Sequence, residues 1–80
     1  MSRTRQQYQK HFIEVTSIAL RDGGFTTHFE IEHHAGTHID VTHFESGQRF
    51  ATDDESISAG IALAQHKVDI GYDIGTPVNQ

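Results

Sequence analysis

From Phe25 to His34 the chain alternates without a break, with Phe25, Thr27, Phe29 and Ile31 set against Thr26, His28, Glu30 and Glu32. A period of two marks a strand with one face turned to a core. Thr37 to Phe44 alternates again, with Ile39 and Val41 against His38, Asp40 and Thr42. His11 to Arg21 is rich in β-branched side chains (Ile13, Val15, Thr16, Ile18) and reads as a further strand. Asp22-Gly23-Gly24, Ala35-Gly36-Thr37 and Ser46-Gly47 punctuate these runs as turns.

The period then changes. Thr52-Asp53-Asp54-Glu55 fits a capping box, in which the Thr52 hydroxyl accepts from the Glu55 amide and Glu55 reaches back. Ile57, Ile61, Ala64 and Val68 follow at helical spacing as one apolar stripe. Gly71 supplies a left-handed C-cap. Gly60, inside the helix, costs about 1 kcal/mol relative to alanine, which points to a close approach of helix and sheet. The predicted fold class is α+β: a three-stranded antiparallel meander with one C-terminal helix packed on one face, β-β-β-α. Residues 1–10 read as a flexible N-terminal arm, 11–74 as a single domain and 75–80 as a flexible tail.

Strand register follows from parity, because a slip of one residue turns every side chain to the other face. Three-residue loops at Asp22-Gly23-Gly24 and Ala35-Gly36-Thr37 would pair Val15 with Ile31, His34 with His38, and Glu32 with Asp40. The face under the helix would then carry Ile13, Val15, Phe29, Ile31, Ile39 and Val41. The uncovered face would carry a carboxylate row, Glu14–Glu32–Asp40, beside Phe12–His34–His38. Ile18, His28 and Phe44 would form an apolar patch at its other end.

Composition limits what such a face can meet. The formal charge is −5, yet Arg3, Arg5 and Lys10 all fall in the first ten residues, where no acidic side chain occurs. The acidic remainder repels a phosphate backbone and argues against nucleic acid as the main partner, leaving the basic arm as the place where it would bind. The absence of cysteine excludes disulfides and thiolate metal sites. No apolar run approaches the ~20 residues that span a bilayer. The polar first ten residues lack the apolar stretch of a signal peptide, so the expected location is the cytoplasm.

Two imidazoles with one or two carboxylates suit zinc, or non-haem iron or manganese. His34, His38, Asp40 and Glu32 are therefore the candidate metal ligands, and zinc or another divalent metal is the cofactor they would hold. Glu14, Ile18 and Phe44 are the candidate partner-binding residues, for a protein or a small ligand. Ala59, Leu63 and Ile70 form a second helical stripe that would serve as the rim of the core or as a homodimer contact. No strand-to-helix glycine loop for phosphate and no nucleophile elbow occurs. The expected function is a non-enzymatic binding or regulatory module, with a metal-binding domain as the alternative.

The run His34-Ala35-Gly36-Thr37-His38-Ile39-Asp40 resembles the HxGTHxD signature of the kynurenine formamidase-like cyclases, which are metal-dependent hydrolases using zinc or manganese. That resemblance implies His34, His38 and Asp40 as ligands. The family continues with a proline and then a His-Phe pair, where this chain has Val41-Thr42-His43-Phe44, and its chains are much longer. A second resemblance is to small uncharacterised bacterial proteins of the β-β-β-α type. It is carried by Asp22-Gly23-Gly24, the stretch from Phe44 to Thr52, the acidic helix start and Ala59-Gly60-Ile61-Ala62. It implies a fold and brings no catalytic residues.

Overall fold

In a computed structural model describing residues 2–71, the chain forms an antiparallel sheet with one helix on one face. The elements are β1 (Ser2–Tyr8), β2 (His11–Ala19), β3 (Phe25–Ala35), β4 (His38–Glu45) and α1 (Asp53–Asp69). Strand order is β1-β2-β3-β4, so the sheet is a simple meander. The α+β class and the C-terminal helix agree with the sequence reading; the number of strands does not. The tail from 75 onward and the end of the domain at 72–74 lie outside the described residues.

The added strand is the stretch expected to be a flexible arm. Gln9 and Lys10, at φ 48° and 69°, make the two-residue turn that folds β1 onto β2, as a tight hairpin with positive φ at both positions requires. Ser2, Thr4, Gln6 and Tyr8 face the helix side and Arg3, Arg5 and Gln7 the other. Neither set is an apolar stripe, which is why periodicity missed the strand. The helix-side set is held by polar bonds instead. Ser2 Oγ donates to Asp53, the Tyr8 hydroxyl donates to Asp69 at 2.8 Å, and Gln65 Nε2 donates to Gln6 at 3.3 Å.

Between β2 and β3 the loop is longer than the expected three residues, running from Leu20 to Gly24 and closing with Ala19 opposite Phe25. Its length is still odd, so the faces are kept: Ile13 lies opposite Ile31 and Val15 opposite Phe29. Ile13, Val15, Phe29, Ile31 and Ala64 form the buried core.

Between β3 and β4 the parity reverses. Gly36 and Thr37 form a two-residue loop with Ala35 opposite His38, His34 opposite Ile39 and Glu32 opposite Val41. Gly36, at φ +63°, provides the left-handed residue this turn needs. Ile39 and Val41, expected in the core, stand on the uncovered face, each 54% exposed. Phe44 takes the inward position and stacks on Phe29, with ring centroids 5.0 Å apart and planes 13° apart. Lys67 places its ammonium 5.3 Å from the Phe44 centroid. One phenylalanine turned inward buries more apolar area than either aliphatic residue on this edge strand, which the helix leaves largely uncovered.

Helix α1 starts as its sequence predicts. Thr52 Oγ1 accepts from the Glu55 amide at 3.1 Å, and Glu55 accepts from the Ala51 amide at 3.2 Å. At its end Ile70 N donates to His66 O, Gly71 N donates to Val68 O, and Gly71 has φ +68°. The row pressed onto the sheet is narrower than the predicted stripe: Ser56, Gly60 and Ala64 are buried, while Ile57, Ile61, Leu63 and Val68 pack beside the core as partly buried flanks. Small side chains along the contact line let the helix lie close to Val15 and Thr27. Within the described residues no helix is long and apolar enough to cross a membrane.

Candidate binding face

With the helix on one side, no other described element covers the opposite side of the sheet, and the register dictates what it displays. Three rows cross it: Arg3–Thr16–His28–Glu45, Arg5–Glu14–Glu30–His43, and Gln7–Phe12–Glu32–Val41. Ile39 and His34 extend the last row toward the β3–β4 turn, and Ile18 lies at the opposite end.

One side of the face is organised by Arg5. Its guanidinium reaches both Glu32 oxygens at 3.1 Å and lies 4.9 Å from the Phe12 ring centroid. His34 joins from the same side, with Nε2 3.2 Å from Glu32 Oε1 and its ring 5.2 Å from that of Phe12. The hydrogen bonds from Arg5, then from His34, hold the Glu32 carboxyl below its usual range, and the same contact raises Arg5. Phe12, Ile39 and Val41 surround this polar knot with apolar surface.

The other side is a shallow concavity whose wall includes Arg3, Glu14, Ile18, His28, Glu30 and His43. Glu14 and Glu30 are direct cross-strand partners, a like-charge pairing that disfavours a bare surface. His43 sits between two carboxylates, with Nδ1 3.5 Å from Glu30 and Nε2 3.6 Å from Glu45. The His28 and His43 rings meet edge to face at 5.6 Å.

Among the predicted partner residues, Glu14 and Ile18 share this concavity, whereas Phe44 lies on the helix side against Phe29. The predicted metal ligands are divided. Glu32 and His34 are together on the uncovered face. His38 and Asp40 pair at 2.8 Å on the helix side, beyond the helix's cover. The one-residue difference in the β3–β4 turn separates the two pairs, so the HxGTHxD residues do not converge.

Sequence reasoning missed a different trio. One group among the described residues brings three metal-capable side chains together: His28, His43 and Glu45, whose nearest ligating atoms all lie within 4.8 Å of one another. The signal was present as alternation, since His28-x-Glu30-x-Glu32 and His43-x-Glu45 each line one face of a strand. It becomes a site only once His28 is known to lie opposite Glu45.

The described residues define a four-stranded antiparallel meander with one helix and, on the face away from that helix, a charged surface. No protein-family model matches the chain, and neither the curated proteins nor the solved structures contain a significant match.

Proposed function

We propose that the protein is a non-enzymatic binding module that recognises a basic, apolar-bearing segment of a protein partner on the uncovered face of its sheet. The observation that carries this reading is the joint exposure of Ile39 and Val41 on an edge strand beside a face with more carboxylates than cations. Glu14, Glu30, Glu32 and Glu45 stand there against Arg3 and Arg5, and Arg5 is already engaged with Glu32. Apolar side chains in the open supply contact area, and unneutralised carboxylates select cationic partners and speed their approach. A second copy of the same chain suits the face less well, because directly paired Glu14 and Glu30 occupy its middle and face-to-face pairing would oppose carboxylates.

Peptide display against the immobilised protein, in the presence of a chelator, tests this. Selected sequences should be enriched in Lys and Arg flanking an aliphatic or aromatic residue. Their affinity should fall with added salt, and should fall in the Glu14→Gln, Glu30→Gln double variant and in Val41→Ser. Selection of acidic sequences, or affinity unchanged in both variants, would refute the reading.

A further inference from the structure

We propose that His28, His43 and Glu45 form a binding site for a divalent transition-metal ion of the zinc type, with Glu30 as the positioning residue behind His43. The site is distinct from the pairs His34–Glu32 and His38–Asp40, and it does not depend on any protein partner. It rests on three features of the fold.

The first is backbone placement. His28 on β3 and Glu45 on β4 are direct partners across an antiparallel pair, and His43 is two residues before Glu45 on the same face. The three ligand-bearing Cβ atoms are thus fixed by a hydrogen-bonded ladder rather than by a loop, which is the rigid support a metal site needs.

The second is donor geometry. Zinc binds imidazole nitrogen and carboxylate oxygen at about 2.0–2.2 Å, so donors around a tetrahedral ion are separated by roughly 3.3 Å. His43 Nε2 and Glu45 Oε2 are already 3.6 Å apart, and the full set of donor atoms lies within 4.8 Å. Closing the remainder takes rotamer adjustment of exposed or half-exposed side chains and leaves the strands in place. Water fills the fourth position of such a site. Two nitrogens and one carboxylate oxygen suit zinc and its neighbours, whereas magnesium and calcium prefer all-oxygen shells.

The third is the group behind the ligand. With His43 Nε2 turned to the ion, its Nδ1 is left facing Glu30 Oε2 at 3.5 Å. A carboxylate on the far nitrogen of a metal-bound imidazole fixes the ring's tautomer and raises its basicity. Glu30 also shares the local negative field with Glu45, which an added cation would relieve.

The test is a titration of zinc chloride into the full chain, following the ring resonances of all histidines. One equivalent should shift His28 and His43 selectively at micromolar zinc, leaving His34 and His38 unchanged; magnesium should shift none. His43→Gln and Glu45→Gln should each weaken binding by at least about tenfold, and Glu30→Gln by roughly tenfold, the scale at which outer-shell partners act. Glu32→Gln should leave the affinity unchanged. Parallel shifts of every histidine, no shift at micromolar zinc, or unchanged affinity in both ligand variants would overturn the proposal. The ring resonances of the unaltered protein decide the matter even if a variant fails to fold.

Discussion

Replacing Gly60 by alanine sets two effects of known sign against each other, and the structure says which should win. In an isolated helix the change is favourable by about 1 kcal/mol, because alanine loses less conformational freedom than glycine. Here a Cβ on Gly60 would stand 2.3 Å from Thr27 Oγ1 and 2.4 Å from Val15 Cγ1. Both neighbours are buried and β-branched, so neither has a free rotamer to move into. Reaching ordinary contact distance requires the helix to lift by about 1 Å, since non-bonded atoms pack best at roughly 3.5–4.0 Å. That lift loosens Ser56 and Ala64, which lie on the same buried row. Overpacking of this kind costs about 1–3 kcal/mol. Because the clash here is with two stiff side chains, the upper half of that range applies. The net expectation is a loss of about 1–2 kcal/mol, or roughly 4–15 °C in Tm for a domain of this size. Urea unfolding followed by far-UV circular dichroism measures it, with Ser58→Ala on the exposed side of the same helix as the propensity control. Val15→Ala added to Gly60→Ala should recover part of the loss, so that the double variant is less destabilised than the sum of its parts. A Gly60→Ala midpoint equal to or above the parent's would mean that the helix does not lie on Val15 and Thr27 in this way.

Other outcomes follow from the same packing and register. Ser56→Ala should stabilise by about 1 kcal/mol, since it removes a buried hydroxyl that has no hydrogen-bond partner among the described residues and improves helix propensity; a lower urea midpoint would contradict this. Val41→Ser should change stability by less than about 0.5 kcal/mol, as for most surface substitutions. Phe44→Ala should cost about 2 kcal/mol or more, below the full price of a buried phenylalanine because the ring is half-buried; the reverse order would restore the odd-loop register. The folded-state carboxyls of Glu32 and Asp53 are held low, the first chiefly by Arg5 and the second chiefly by Ser2. Depressed carboxyls contribute stability that is present above their unfolded-state values and is lost as pH falls through the folded ones. The urea midpoint should therefore drop between about pH 5 and pH 3, and Arg5→Gln should make that drop shallower; a midpoint flat across this range would refute the assignment.

The legible parts of the fold were those where one side chain type recurs at one period. The alternation of β3, the capping box at Thr52 and the C-cap at Gly71 each carry their own local chemistry, and each holds. Strand β1 was illegible because its inward set is polar and is fixed by bonds to Asp53, Gln65 and Asp69, residues far along the chain. Its turn, Gln9-Lys10, also lacks the Asn-Gly or Asp-Gly chemistry that announces a tight hairpin. In α1, apolar periodicity marked Ala64 and the flanks Ile57, Ile61 and Val68, whereas the rest of the contact line runs through Ser56 and Gly60, whose role is to be small.

Strand β4 shows most directly how pattern can misplace chemistry. Ile39 and Val41 against His38, Asp40 and Thr42 is an ordinary inside–outside alternation, and on a central strand it would fix the faces. On an edge strand that the helix scarcely covers, the aliphatic pair has little to bury against, and the orientation is decided by the residue nearest the core. That residue is Phe44, which gains a stacked contact with Phe29 and a cation from Lys67. Turning Phe44 inward obliges His43 and Glu45 to turn outward, where His28 and Glu30 of β3 already stand. The same step carries Ile39 and Val41 into the open and removes His38 and Asp40 to the opposite side. The exposed apolar surface of Ile39 and Val41 and the cluster of His28, His43 and Glu45 are thus two results of one packing preference, exerted by a single aromatic side chain at the end of the strand.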